Sequence, residues 1–385
     1  MYMEKKYPLF DIYWDENDIE KVTKVIKRGS YWATGPEIRE FEKKLEEYFN
    51  SQFVVTFNSG TSALHAVLLA YGITSGEVIV PSISFISTAN CVILAGAKPV
   101  FSEIEEESIG LDPEDVIERI TKKTRAILPM HYGGRVCKSI KILKEIAEEK
   151  RLLLIEDNAE SFGAKIDSDL AGTIGDAGML SFCQNKIITT GEGGAICTND
   201  EKVYKKLLLI RSHGRVEQLG TDYFTNIYEM DYVNIGYNYR LPTMCAALGI
   251  SQLEKIDKIL ELRRTLGKYY DKNLSDIPEI EIIPELRGFK NVYQLYSILL
   301  KTPDKRTELQ EYLLNNNIYT KIYFYPIHLK SYYRNKLGYK EGDFPITENI
   351  SKRLLSLPFS LRFTEKDLDY IINKIKNFFL KERIP

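Results

Sequence analysis

The sequence predicts an α/β protein: a large domain built on a mostly parallel sheet with helices on both faces, followed by a smaller α+β domain. Three observations carry this. From Phe53 to Asp157 short apolar, strand-like runs alternate with helical segments, the pattern of a parallel sheet covered on both sides. Polar, glycine-containing or acidic residues follow several of those strands directly, where open α/β sheets bind ligands. Past about Gln252 the alternation stops, and a long charged helix leads into scattered short strands and helices. A chain of 385 residues also exceeds the size at which one core stops growing, so the expected division is 1–250 and 251–385.

Taken in order, residues 15–28 place Ile19, Val22, Val25 and Ile26 on one helical face, and Gly29 stops the helix. A loop from Tyr31 to Gly35 follows, and Pro36 opens a second helix with Phe41, Leu45 and Phe49 at helical spacing. Strands are predicted at 53–57, 77–80, 99–104, 125–130 and 152–155, with helices at 63–71, 86–94, 111–120 and 139–150. A strand ending at Ser181-Phe182 precedes Lys186. The glycine-rich turn Thr189-Thr190-Gly191-Glu192-Gly193-Gly194 then leads into another apolar strand. Beyond the helix at 253–274, short strands near 279–283 and 293–300 and helices near 305–315 and 365–379 make up the smaller domain.

Composition narrows the function. With 52 Lys+Arg against 54 Asp+Glu, the formal charge of −2 offers no general attraction to nucleic acid or an anionic membrane. No apolar run reaches the length of a membrane span and no signal-like segment opens the chain, so a cytoplasmic location is expected. Five cysteines, an odd number without a C-x-x-C pair, and four scattered histidines predict reduced thiols and no metal centre.

Four stretches carry candidate chemistry. Asn58-Ser59-Gly60-Thr61-Ser62 lies between a strand and a helix, and is either an ordinary N-cap or an anion site formed by the N–H groups of Gly60, Thr61 and Ser62. Asp157 ends a buried strand, where a carboxylate needs a partner: a helix N-terminus, or a cation such as a protonated ring nitrogen. Phe85, in the loop after another strand, is either core or a flat apolar face. Lys186 is either a solvated loop lysine or an amine that attacks a carbonyl. A phosphate site, a carboxylate for a pyridinium, a ring face and a reactive lysine are the parts that pyridoxal phosphate chemistry requires.

The chain also resembles the pyridoxal-phosphate-dependent sugar aminotransferases of the DegT/StrS group. The likeness runs through GPEIREFE, NSGTSAL, VPSISFISTAN, IEDNAESFGA, SFCQNKIITTGEGGAI, RSHGR, GYNYRLPTMCAALG, YPIHL and LSLP. It implies the aspartate aminotransferase type of fold (fold type I), with a seven-stranded sheet in the large domain. It further implies that Lys186 carries the cofactor covalently, Asp157 pairs with the ring nitrogen and Phe85 stacks on the ring. Gly60, Thr61 and Ser181 would hold the phosphate, and Asn238 would reach it from the partner subunit of a homodimer. Glu160 stands where a glutamine often contacts the ring oxygen, and Cys183-Gln184 replaces a common His-Pro. Substrate contacts are expected from Trp32, Thr34, Arg215, Tyr325 and His328.

The implied activity moves an amino group from L-glutamate to a nucleotide-linked keto-sugar, a step of amino-sugar and cell-surface polysaccharide biosynthesis. Two rivals stand beside it. Keto-sugar dehydratases related to this family replace the lysine by histidine, whereas Lys186 is present. A cofactor-binding regulatory protein without turnover would not need Lys186, Asp157 and Asn238 together.

Overall fold

The computed structural model describes residues 5–216 and 231–382 of the chain. Helix α1 (Glu16–Arg28) starts on a capping box between Asp15 and Asp18 and ends at Gly29 in the left-handed region, φ 71°. Helix α2 (Pro36–Phe49) begins on the expected proline. The large sheet contains β1 (Phe53–Phe57), β2 (Glu77–Pro81), β3 (Lys98–Ser102), β4 (Thr124–Ile127), β5 (Leu153–Asp157), β6 (Ala177–Ser181) and β7 (Gly194–Thr198). Their spatial order is β1-β7-β6-β5-β4-β2-β3. Only β7 runs against its neighbours, pairing antiparallel with both β1 and β6.

Successive residues of these strands point to opposite faces, and both faces are dry. Val54, Ile79, Ile127, Leu154 and Leu180 join Phe41, Leu45 and Phe49 of α2 in one core. Val55, Val80, Leu128, Ile155 and Met179 join the other, with α3 (Gly60–Ala70), α4 (Ser87–Leu94) and, later in the chain, α7 (Glu201–Arg211). Burial on both sides is why the strands read as unbroken apolar runs rather than alternating ones. Helices α5 (Pro113–Arg119) and α6 (Ile140–Lys150) complete the crossovers before α7.

Helix α8 (Thr243–Glu254) packs against both α1 and α2 and is buried on most of its circumference. A helix apolar nearly all round carries little 3.6-residue period, so the sequence pattern does not signal it. The predicted single helix at 253–274 is two: α8 ends at Glu254 and α9 (Ile256–Leu274) starts after Lys255, whose φ of −110° breaks the run.

A second, three-stranded antiparallel sheet holds β8 (Ile280–Ile282), β9 (Tyr296–Leu300) and β10 (Leu354–Leu357) in the order β8-β9-β10. Around it lie α10 (Pro303–Leu314), α11 (Ser331–Leu337), α12 (Pro345–Arg353) and α13 (Glu365–Glu382). The first described residues cross to this unit: Tyr7 bridges to Ile318 and is buried with Leu313 and Ile371. On the large sheet, Glu103 accepts the N–H groups of Ile346 and Thr347, each at 2.9 Å, tying the start of α12 to the end of β3.

Candidate active site

A cavity of about 530 Å³ opens at the carboxyl ends of the parallel strands, roofed by residues between Lys321 and Lys330. Gly60, Thr61, Phe85, Asp157, Glu160 and Ser181 all line it, together with Lys186 and Tyr325. The first seven lie at or after the ends of β1, β2, β5 and β6, and Tyr325 belongs to the roof, so the lining draws on more than half of the chain.

The anion cradle is narrower than expected. Ser59 caps α3, and its Oγ accepts the Ser62 N–H at 3.0 Å, so that donor is taken. The N–H groups of Gly60 and Thr61 remain, since the first turn of a helix has no acceptors of its own. Gly60 is needed for space: a Cβ there would lie 3.0 Å from Ser181 Cβ and 3.1 Å from its Oγ. Gly194, at the start of β7, lets the same turn approach, because a Cβ on it would meet the Gly60 nitrogen at 2.6 Å. Of the turn glycines between Lys186 and β7, Gly191 supplies the left-handed residue, φ 83°.

Asp157 ends β5 with its side chain on the α4 face. Its Oδ2 accepts from the Thr88 hydroxyl at 2.7 Å, and Thr88 lies 2.6 Å from Ser84 Oγ. Its Oδ1 accepts the Ala159 N–H at 3.2 Å. Burial pushes its carboxyl above the usual range, against the pull of Thr88, the Ala159 N–H and the Lys186 ammonium. The preceding residue, Glu156, points to the other face, as strand alternation requires. It accepts N–H groups from Gly172, Ile174 and Gly175 at 2.8, 2.7 and 2.7 Å. His131 Nε2 lies 2.8 Å from the same carboxylate, while its Nδ1 accepts the Cys137 N–H, which leaves Nε2 as the protonated donor. Glu156 therefore holds the loop before β6, and Asp157 faces the cavity.

Lys186 follows β6 on the connection to β7. Its N–H donates to the Cys183 carbonyl at 2.9 Å, and its Nζ lies 3.4 Å from Glu160 Oε1. Glu160 is buried, and its Oε2 accepts the Gly133 N–H at 3.0 Å. Phe85 is 56% exposed with its ring 6.1 Å from that of Phe324; it forms a cavity wall rather than core.

The expected substrate contacts separate. Tyr325 lines the cavity, with Lys330 Nζ 4.4 Å from its ring centre. His328 does not: it is fully buried, with Nε2 3.1 Å from Glu348 Oε1. Trp32 stands outside, its indole N–H donating to the Val25 carbonyl at 3.2 Å. Thr34, the buried Arg215 and the exposed Asn238 do not line the cavity of this chain either. The Asn238 carbonyl accepts from Asn58 Nδ2 at 3.3 Å, beside the anion cradle. Sequence reading missed Thr88, Glu156, His131 and Tyr323; the FISTAN run does place Thr88 one helical turn after Phe85, the only local hint of it.

The donor set matches pyridoxal phosphate. Two free helix N–H groups and a serine hydroxyl suit a phosphate monoester, a buried carboxylate that lacks a cation at hydrogen-bond distance suits a pyridinium, and a sheltered lysine suits its aldehyde. Among the described residues no helix is long and apolar enough to cross a membrane, and no cluster of candidate metal ligands occurs.

Comparison with known proteins agrees. Residues 13–376 match the model of the DegT/DnrJ/EryC1/StrS aminotransferase family. A GDP-perosamine synthase of Vibrio cholerae is 35% identical over 97% of this chain and 99% of its own. A UDP-4-amino-4,6-dideoxy-N-acetyl-beta-L-altrosamine transaminase of Campylobacter jejuni is 32% identical over 93% of both. The structure of PseC from Helicobacter pylori, an aminotransferase of pseudoaminic acid biosynthesis, superposes with a TM-score of 0.90 at 26% identity, covering 98% of this chain and all of that one. The chain belongs to the DegT/DnrJ/EryC1/StrS family and is a pyridoxal-phosphate-dependent aminotransferase.

Proposed function

We propose that this aminotransferase moves an amino group from L-glutamate to a nucleotide-linked keto-sugar, and that it works as a homodimer with shared sites. One observation carries the reading of the site: Lys186, the Asp157 carboxylate and the start of α3 open into the same cavity. The two curated relatives are named for GDP- and UDP-linked sugars, which supports a nucleotide sugar as acceptor. The exposed position of Asn238 beside the cradle supports its use by a neighbouring subunit.

Each residue then has a task. Gly60, Thr61 and Ser181 bind the phosphate, and Phe85 offers its face to the ring. Asp157, already short of a cation, keeps the ring nitrogen protonated. When bound, pyridoxal phosphate supplies an electron sink that stabilises a carbanion at the substrate carbon. Lys186 Nζ takes and returns the proton at that carbon, with the Glu160 carboxylate holding the amine at the cavity wall. Phe324 and Tyr325 wall the cavity beside Phe85.

The test is spectroscopic. Protein loaded with pyridoxal phosphate should pass to the pyridoxamine phosphate form on addition of L-glutamate, and a nucleotide keto-sugar from a panel should restore the first spectrum. No change with glutamate would remove the donor from this reading. Restoration by a keto-cyclitol alone would replace the acceptor.

A further inference from the structure

The main chain immediately before Lys186 is held by a side chain that lies 109 residues further along the sequence. Gln294 is 4% exposed, and its Nε2 donates to the carbonyl of Asn185, the residue immediately before Lys186. Asn185 and Tyr323 both line the cavity beside Lys186. No other hydrogen bond of the Gln294 amide group is found among the described residues, and its Oε1 is buried without a partner. A buried amide makes the hydrogen bonds its surroundings allow, and the one found for Gln294 runs to the Asn185 carbonyl.

Gln294 is itself fixed. The buried Arg263 guanidinium of α9 donates to the Tyr293 carbonyl at 2.6 and 3.0 Å and to the Gln294 carbonyl at 3.0 Å. The backbone at 292–295 is laced to Gly133 and Gly134: Val292 N–H to Gly134 O at 2.9 Å, and Leu295 N–H to Gly133 O at 3.2 Å. The two strands of chain cross so closely that a Cβ on Gly134 would lie 2.5 Å from the Gln294 nitrogen. The same Gly133 donates to Glu160, which meets Lys186 Nζ. Both ends of Lys186, its backbone through Gln294 and its amine through Glu160, therefore refer to one rigid crossing.

We infer that Gln294 is a positioning residue for Lys186: it pins the Asn185 carbonyl so that the 183–186 turn presents the lysine amine at one fixed depth in the cavity. The inference rests on the reading of Lys186 as the lysine that carries the cofactor. Displacing a reacting group by about 1 Å can cost on the order of 100-fold in rate, and the lost anchor acts only through such displacement.

Two variants test it. Gln294→Met keeps the volume and removes both donors; Gln294→Glu can donate only when protonated. Borohydride reduction and peptide mapping of the wild-type holoenzyme locate the modified lysine, with Lys186→Ala as control. The rate of pyridoxal phosphate attachment to stripped protein, the melting temperature, and kcat and KM for L-glutamate across pH are then measured for each variant. Gln294→Met should attach the cofactor about tenfold more slowly and lose about 10- to 100-fold in kcat with KM changed by less than about threefold. Gln294→Glu should recover attachment rate as pH falls, through a titration that neither wild type nor Gln294→Met shows. Wild-type attachment rate and kcat in both variants would overturn the inference alone. Labelling at a residue other than Lys186 would overturn it together with the reading on which it rests. Should Gln294→Met fail to fold, the titration in Gln294→Glu decides: its absence counts against the positioning role.

Discussion

Replacing Asp157 by asparagine should stabilise the cofactor-free protein while removing its catalysis. The carboxylate is 3% exposed, and burial raises its proton affinity despite Thr88, the Ala159 N–H and Lys186. With the folded value above the unfolded one of about 3.9, the folded chain binds more protons over that window. Stability is then full below the unfolded value and is lost as pH rises through the folded one. At neutral pH the wild type carries this penalty and a neutral side chain does not. Asparagine keeps the bonds: its oxygen takes the Ala159 N–H, and its NH₂ donates to Thr88, whose own proton turns to Ser84 Oγ at 2.6 Å.

Each tenfold difference in proton affinity is worth about 1.4 kcal/mol. Spread over an unfolding entropy of about 2.1 cal/mol/K per residue, that amounts to a melting temperature higher by about 2 °C for a chain of this length. Thermal melts of stripped wild type and Asp157→Asn between pH 4 and pH 8 would read it, with the gap widest at pH 8 and closing toward pH 4. Pyridoxal phosphate should reverse the order, since the ionised carboxylate gains a cation, and turnover of the variant should fall by about 100- to 1,000-fold. An Asp157→Asn protein that melts below wild type by the same amount at every pH would refute the reasoning. The carboxylate would then be an anchor for the strand end and not a charge kept waiting for its partner.

Three other outcomes are expected. Glu156→Gln turns an N–H donor toward a ring of N–H groups from Gly172, Ile174 and Gly175; it should cost about 2–4 kcal/mol in urea unfolding, and an unshifted midpoint would count against the buried-carboxylate account. Gly194→Ala drives a methyl against the Gly60 nitrogen at 2.6 Å, so pyridoxal phosphate affinity should drop by about tenfold or more through an overpacking cost of about 1–3 kcal/mol, read by equilibrium titration. Mixing inactive Lys186→Ala with inactive Asn238→Ala protein should restore part of the activity if Asn238 serves the neighbouring subunit, and a mixture as inactive as its components would remove the shared site.

Much of the architecture is readable one residue after another. The five predicted strands between Phe53 and Ile155 fall within a few residues of the observed ones, because apolar runs, prolines and caps act locally. Lys186, Asp157, Gly60 and Phe85 also stand out locally, as polar or flat residues where a strand stops. The pairing of Asp157 with Thr88 spans 69 residues and that of Gln294 with Asn185 spans 109, and no local pattern announces either. The Ser62 N–H looked available until the rotamer of Ser59 claimed it. His328 sits in a stretch that lines the cavity, yet its own side chain turns inward to Glu348.

The sequence by itself determined the class of fold and the strand ends where polar, acidic and glycine residues collect, since these follow from periodicity, backbone freedom and residue type; the lysine among them was singled out by the resemblance to a known family. The tertiary structure alone decided which donors remain free, which of two adjacent carboxylates faces the cavity and what holds the lysine in place. Those are matters of which groups meet across the fold, and hydrogen bonds and burial are settled only by such meetings.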